Sequence, residues 1–192
     1  LWRIDDFWAW QHPALEFPAL RDLILSHAKS RRVIVQAGGC MGMYPRLWSE
    51  DFDRVVTFEP DRVNFRCLAH NCADRDVVKF QAALSDKAGV CSFKPGAPMN
   101  AGMGSIGGNG MLFTVATIPL DALDLPTVDV IQLDCEGSEE KALLGARSTI
   151  ERCRPTIAVE HPDARVRGLM SSLGYVVAGR CGSMPDVVFT PQ

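Results

Sequence analysis

The chain has no Cys-x-x-Cys pair, no long apolar run and no excess of basic charge. Its 7 cysteines are scattered and odd in number, which argues against a zinc cage and a disulfide framework and points to a reducing compartment, the cytoplasm. No stretch of about 18 apolar residues is present, so a membrane span is not expected. A basic, apolar, small-residue leader is also missing, although Leu1 in the place of Met is compatible with a fragment. A formal net charge of −3 gives no general attraction to polyanions, so nucleic acid is not an expected partner. The Arg31-Arg32 pair and Arg152 with Arg154 read as solvated helix ends.

What is present suits one globular domain over residues 1–192. The 47% hydrophobic content over 192 residues is enough for a full core. Residues 1–32 form an aromatic-rich extension holding Trp2, Phe7, Trp8, Trp10 and Phe17. Within it, the spacing predicts an amphipathic helix over 18–30. The aromatic prefix is expected to pack internally, or else to serve as a substrate lid or a self-association surface.

From Val33 the pattern alternates. Strands are predicted near 33–37, 55–59, 77–82, 128–133, 156–160, 174–179 and 186–190, and helices near 45–51, 61–73, 138–152 and 163–173. Val128-Asp129-Val130-Ile131-Gln132-Leu133 reads as a central strand buried on two faces. The short spacing of the last two runs predicts a hairpin, which makes the final strand antiparallel. The expected fold is α/β and Rossmann-like, a seven-stranded, mostly parallel sheet with helices on both faces. A glycine-rich stretch from Gly89 to Thr117 interrupts the alternation and reads as a functional or mobile loop.

The chemistry concentrates after the first two strands. Val33 to Ala37 runs into Gly38, Gly39 and Gly42, and the second strand ends in Glu59, 17 positions after Gly42. That is how a Rossmann-type sheet holds a nucleoside: backbone approaches the ligand at the glycines and an acidic residue accepts the ribose hydroxyls. Two registers compete. Ala37-x-Gly39-x-x-Gly42 resembles a dinucleotide fingerprint, whereas Gln36-x-Gly38-x-x-x-Gly42 resembles the methyltransferase turn, and the terminal hairpin favours the second.

Later segments carry a wider resemblance. Phe58-Glu59-Pro60, Ala83-Leu84-Ser85-Asp86, Leu120-Asp121-Ala122-Leu123, Asp134-Cys135-Glu136-Gly137-Ser138-Glu139 and Leu144-Gly145-Ala146 occur in order at compatible spacing, followed by Arg154-Pro155 and a strand ending in Glu160. Over about residues 33–160 the chain resembles the FkbM family of S-adenosylmethionine-dependent methyltransferases, with a class I, Rossmann-like fold. Two departures stand out: Gln36 replaces the family's usual Asp, and Gly39-Cys40 replaces its usual Ala-Asn. Loss of the charge at Gln36 predicts weaker cofactor binding, on the order of 1 kcal/mol.

The resemblance implies S-adenosylmethionine as cofactor and a hydroxyl on a sugar, glycan or small metabolite as methyl acceptor. Ala37, Gly38, Gly39 and Gly42 are expected beneath the methionine and ribose, Gln36 near the ammonium, Glu59 on the ribose, and Pro60, Ala82 and Ala83 around the adenine. Asp134 and Glu136 are candidates for orienting the cofactor and deprotonating the acceptor. The competing reading makes Glu136 and Glu139 first-turn acids of the next helix. His161, after Glu160, is a candidate base. Asn100 and Ser105 are placed on a gate, with Met99, Met103 and Met111 giving it an apolar face. No metal is expected; a divalent cation among Asp134, Glu136, Glu160 and His161 is the minor alternative. The shifted glycine register also leaves room for an NAD-dependent oxidoreductase, and Gln36 together with the aromatic extension for a methyltransferase-fold module without catalysis.

Overall fold

In the computed structural model, residues 7–96, 101–107, 113–181 and 186–192 are described, with side chains from Phe17 onward. The chain opens with α1 (Phe7–His27), β1 (Val33–Ala37), α2 (Met43–Trp48), β2 (Arg54–Phe58), α3 (Arg62–Asn71) and β3 (Val77–Phe80). Four strands then break the rhythm: β4 (Ala83–Leu84), β5 (Gly89–Lys94), β6 (Ser105–Ile106) and β7 (Phe113–Ile118), followed by a 3-10 turn at Leu120–Leu123. Alternation resumes with β8 (Val130–Leu133), α4 (Glu139–Leu144), α5 (Arg147–Cys153), β9 (Thr156–Glu160), α6 (Ala164–Ser172), β10 (Tyr175–Cys181) and β11 (Asp186–Pro191). No helix among the described residues is long and apolar enough to cross a membrane.

Seven strands form the main sheet in the order β10-β11-β9-β8-β1-β2-β3. The expected hairpin is there, with β11 antiparallel to both β10 and β9 and the remaining pairings parallel. Because successive strand residues point to opposite faces, the apolar runs build two cores. Ile34, Val55, Val130, Ala158 and Val188 meet Phe17, Leu20 and Ile24 of α1 and Trp48 of α2. Val35, Val56, Ile131, Ile157 and Val187 meet Leu143, Ile150, Val166 and Met170 from α4, α5 and α6. The described part of α1 is therefore built into the domain, and Arg21 fastens it to Asp51 by a two-pronged ion pair. Trp2 lies outside the described residues, as do the side chains of Phe7, Trp8 and Trp10.

Two expectations need correction. The stretch from Gly89 to Thr117 is not simply a loop: β5 pairs antiparallel with β7, and β4-β7-β5-β6 make a second sheet. The pattern is hidden in the sequence because β4 and β6 span only two residues each. The helix expected over 138–152 is two helices, α4 and α5, broken at Gly145-Ala146. A Cβ on Gly145 would stand 2.0 Å from the Ser85 carbonyl oxygen, so backbone just after β4 occupies the space of a continuing helix surface. Asp121 completes the break: its amide donates to Gly145 O (2.9 Å), and its carboxylate accepts from the amides of Ser148 (2.9 Å) and Thr149 (2.8 Å). Three of the sequence motifs thus form one structural joint.

Candidate functional site

The carboxyl ends of β1, β2 and β8 open onto a cleft with about 470 Å³ of unfilled space, part of it continuous with solvent. Ala37 and Gly38 line it from β1, Glu59 and Pro60 from the end of β2, Ala83 from β4, and Asp134 from the end of β8. Phe93, Gly104 and Ile106 line it from the second sheet.

Glu59 is the most enclosed charged group there, 5% exposed. Its Oε2 accepts from the Cys40 amide and its Oε1 from the Asp61 amide, each at 2.7 Å. Each oxygen keeps acceptor capacity, so the carboxylate can take two more donors. Burial pushes its pKa up to about 8 against the opposing pull of those two amides, and further donors to its oxygens would favour the ionised form.

Beneath it, Gly38 has a φ of +86° and leaves no room for a Cβ, which would stand 1.9 Å from the Asp134 carbonyl oxygen. Gly39 and Gly42 face Leu68 of α3 and do not line the cleft, and neither does Ala82. Gln36 is not brought to the cleft. It is fully buried; its oxygen accepts from the Thr57 hydroxyl (2.6 Å), and its amide nitrogen donates to Gly38 O (2.9 Å) and Ala37 O (3.2 Å). The expected contact between Gln36 and a cofactor ammonium is therefore replaced by an internal strut under the glycine turn.

Asp134, Glu136 and Glu160 gather at the same edge, each offering an oxygen within 4.8 Å of the others. Burial first, and the neighbouring Glu160 second, hold the Asp134 carboxyl well above the usual carboxylate range. Glu136 is raised by partial burial and by Glu160, with His161 pulling the other way. Glu139, by contrast, is a brace: its Oε1 accepts from the amides of Cys135 (2.9 Å) and Gly137 (3.2 Å). His161 is exposed beside this cluster. Cys40, Glu136 and His161, which follow β1, β8 and β9, all have positive φ of 45–49°. Such strained non-glycine residues concentrate at functional sites.

The glycine-rich segment does border the cleft. Asn64, 2% exposed on α3, donates from Nδ2 to Ala101 O at 3.0 Å and holds the segment down. Gly104 abuts the Phe93 ring. Ser105 is half-buried between the cleft-lining Gly104 and Ile106, and Met103 is exposed. Asn100, Met99 and Met111 lie outside the described residues. Reasoning from sequence missed Phe93, Asn64 and Ser138. Phe93 sits in a strand hidden by glycines, and Asn64 carries no local signal. Ser138 was visible only as one letter of the Asp134–Glu139 motif.

Comparison with known proteins bears on the family and the fold. Residues 48–177, more than half of the chain, match the Methyltransferase FkbM domain. A methyltransferase FkbM from Methylobacillus flagellatus KT is similar in structure with a TM-score of 0.61 and 19% identity, over 84% of this chain and 43% of that one. The chain thus spans less than half the length of that relative. The magnesium protoporphyrin IX methyltransferase from Synechocystis PCC 6803, solved with bound SAM, has a TM-score of 0.55 at 9% identity, over 94% of this chain and 80% of that one. An rRNA methylase from Streptococcus thermophilus has a TM-score of 0.56 at 7% identity, over 92% and 97%. No curated protein matches. The dinucleotide-enzyme reading falls away, because the family match and the reversed β11 both point to the methyltransferase register. With family and sheet topology in accord, this chain belongs to the FkbM family of S-adenosylmethionine-dependent methyltransferases.

Proposed function

We propose that this chain transfers a methyl group from S-adenosylmethionine to a hydroxyl oxygen of a sugar or other small metabolite, acting in the cytoplasm as one domain over residues 1–192. The observation that carries the cofactor half of this reading is Glu59, a buried carboxylate at the end of β2 with acceptor capacity left beside the Cys40 and Asp61 amides. Two ribose hydroxyls would complete its hydrogen bonding. Ala37 and Gly38 offer the floor, and Pro60 and Ala83 a small apolar wall for the base. When bound, S-adenosylmethionine supplies an electrophilic methyl group on its sulfonium.

The protein's part is alignment and proton removal. Asp134 stands where the cleft meets the carboxylate cluster, and burial together with the neighbouring Glu160 charge raises the proton affinity of its carboxylate. A carboxylate in that pair can accept the acceptor's hydroxyl proton as the new C–O bond forms. Glu136 and the exposed His161 lie beside that pair, on the solvent side, as further groups able to take up the proton. The oxygen acceptor rests on the family resemblance, and the cytoplasmic placement on the scattered, odd-numbered cysteines of the sequence. Gln36, bonded inside the protein, gives no ground for a lost cofactor contact.

The test is calorimetric titration with S-adenosylhomocysteine, with NADH as control, followed by transfer of a labelled methyl group to a panel of monosaccharides and small polyols. Binding of S-adenosylhomocysteine alone and label in a hydroxyl-bearing acceptor are expected. Label only in amine-bearing acceptors would overturn the oxygen assignment.

A further inference from the structure

Ser138 stands at the N-cap of α4, where a serine ordinarily turns its side-chain oxygen onto a backbone amide of the first turn. It makes no such bond here. The loop amides just before it are already taken by Glu139, which accepts from Cys135 and Gly137. Ser138 is only 7% exposed, and its hydroxyl has no hydrogen-bond partner among the described residues. The same residue lines the cleft. Among the described residues, Arg75 Nε alone is a sealed side-chain polar atom without a hydrogen-bond partner, so the Ser138 oxygen is not sealed: the residue is enclosed but its hydroxyl stays reachable, and the cleft it lines is where a ligand would reach it.

The side of the cleft matters. Ser138 shares its walls with Ala37, Gly38 and Glu59, the residues read as holding the nucleoside, whereas Glu136, Glu160 and His161 stand outside that lining. From these observations we infer that the Ser138 hydroxyl, free of any capping bond and open at the cleft, is a direct hydrogen-bonding ligand of the bound S-adenosylmethionine. The inference rests on the methyltransferase reading above. A hydroxyl carries one donor and two acceptor sites, so it can serve a polar group of either kind on the cofactor.

The experiment titrates S-adenosylhomocysteine into the purified wild-type chain and the Ser138→Ala variant by calorimetry, and records the thermal midpoint of each protein without ligand. The expected result is an unchanged ligand-free midpoint and affinity weaker by about three- to tenfold in Ser138→Ala. Equal affinities would overturn the inference. So would a lowered ligand-free midpoint or a variant that fails to fold, since either would mean the hydroxyl has a structural partner. A wild-type chain that does not bind S-adenosylhomocysteine would overturn the methyltransferase reading itself, an outcome distinct from equal binding by the two proteins.

Discussion

Thr57 donates its hydroxyl to the side-chain oxygen of Gln36 at 2.6 Å, and the two residues face each other in register on β2 and β1. Gln132, the partner of Gln36 on β8, accepts from the Trp48 indole at 2.6 Å. A short polar row thus lies fully enclosed beneath the glycine turn. Its role is structural: Thr57→Val, which keeps the shape and removes the donor, is expected to lower unfolding free energy by about 1–3 kcal/mol and leave S-adenosylhomocysteine affinity unchanged. Chemical denaturation and calorimetry together check this; weaker binding at unchanged stability would mean that Gln36 reaches the ligand.

Glu59 makes stability depend on pH in a definite direction. Its pKa is about 8 in the folded chain against an ordinary 4.5, so the folded state holds the proton over a range where the unfolded chain has lost it. The contribution is full below about pH 4.5 and is lost as pH rises to 8, on the order of a few kcal/mol. Glu59→Gln is expected to flatten the decline between those limits in denaturation curves. The same variant is expected to bind S-adenosylhomocysteine at least about tenfold more weakly, because one ribose acceptor is gone.

Asp134 is expected to titrate above the usual carboxylate range when followed by carbon-detected NMR, and Glu160→Gln to bring the midpoint down by removing the repulsive charge. The midpoint stays raised in that variant, because burial is the larger cause. No movement would mean that the two carboxyl groups do not interact.

Glycines at two positions are expected to respond in opposite ways. Gly145→Ala forces a methyl group into the Ser85 backbone and is expected to destabilise by more than about 2 kcal/mol. Gly168, inside α6, has nothing within 4 Å of the position a Cβ would take. Gly168→Ala is expected to stabilise by about 0.5–1 kcal/mol. Thermal or chemical denaturation distinguishes the two.

Legibility of the fold followed burial. The runs at Val33, Val55, Val130 and Thr156 could be read because parallel strands buried on both faces must be apolar along their whole length. The second sheet could not, since its pairing joins residues as far apart as Gly89 and Thr117 across a glycine-rich stretch. The break between α4 and α5 was equally hidden: helical spacing continues through Gly145, and it is the approach of Ser85 and the bonds to Asp121 that stop it. At the site, Glu59 and Asp134 were legible because strand ends in such sheets gather ligands. The internal partners of Gln36 were not legible, because sequence position alone does not say on which side of a strand a side chain finds its partner. Ser138 needed the structure to show that its capping bond is missing.

The placement of β11 has a consequence for synthesis. Among the described residues β10 joins the main sheet through β11 alone, yet β10 precedes it in the chain. While the protein is being made, residues 175–181 therefore emerge with nothing to pair against and must wait for residues 186–191 before they can dock. The parallel strands through β9 can assemble earlier, but this side of the sheet closes last, in one step, when the hairpin inserts beside β9. Until then the β9 edge is open, and a stalled or shortened chain would present it as a pairing surface to other molecules.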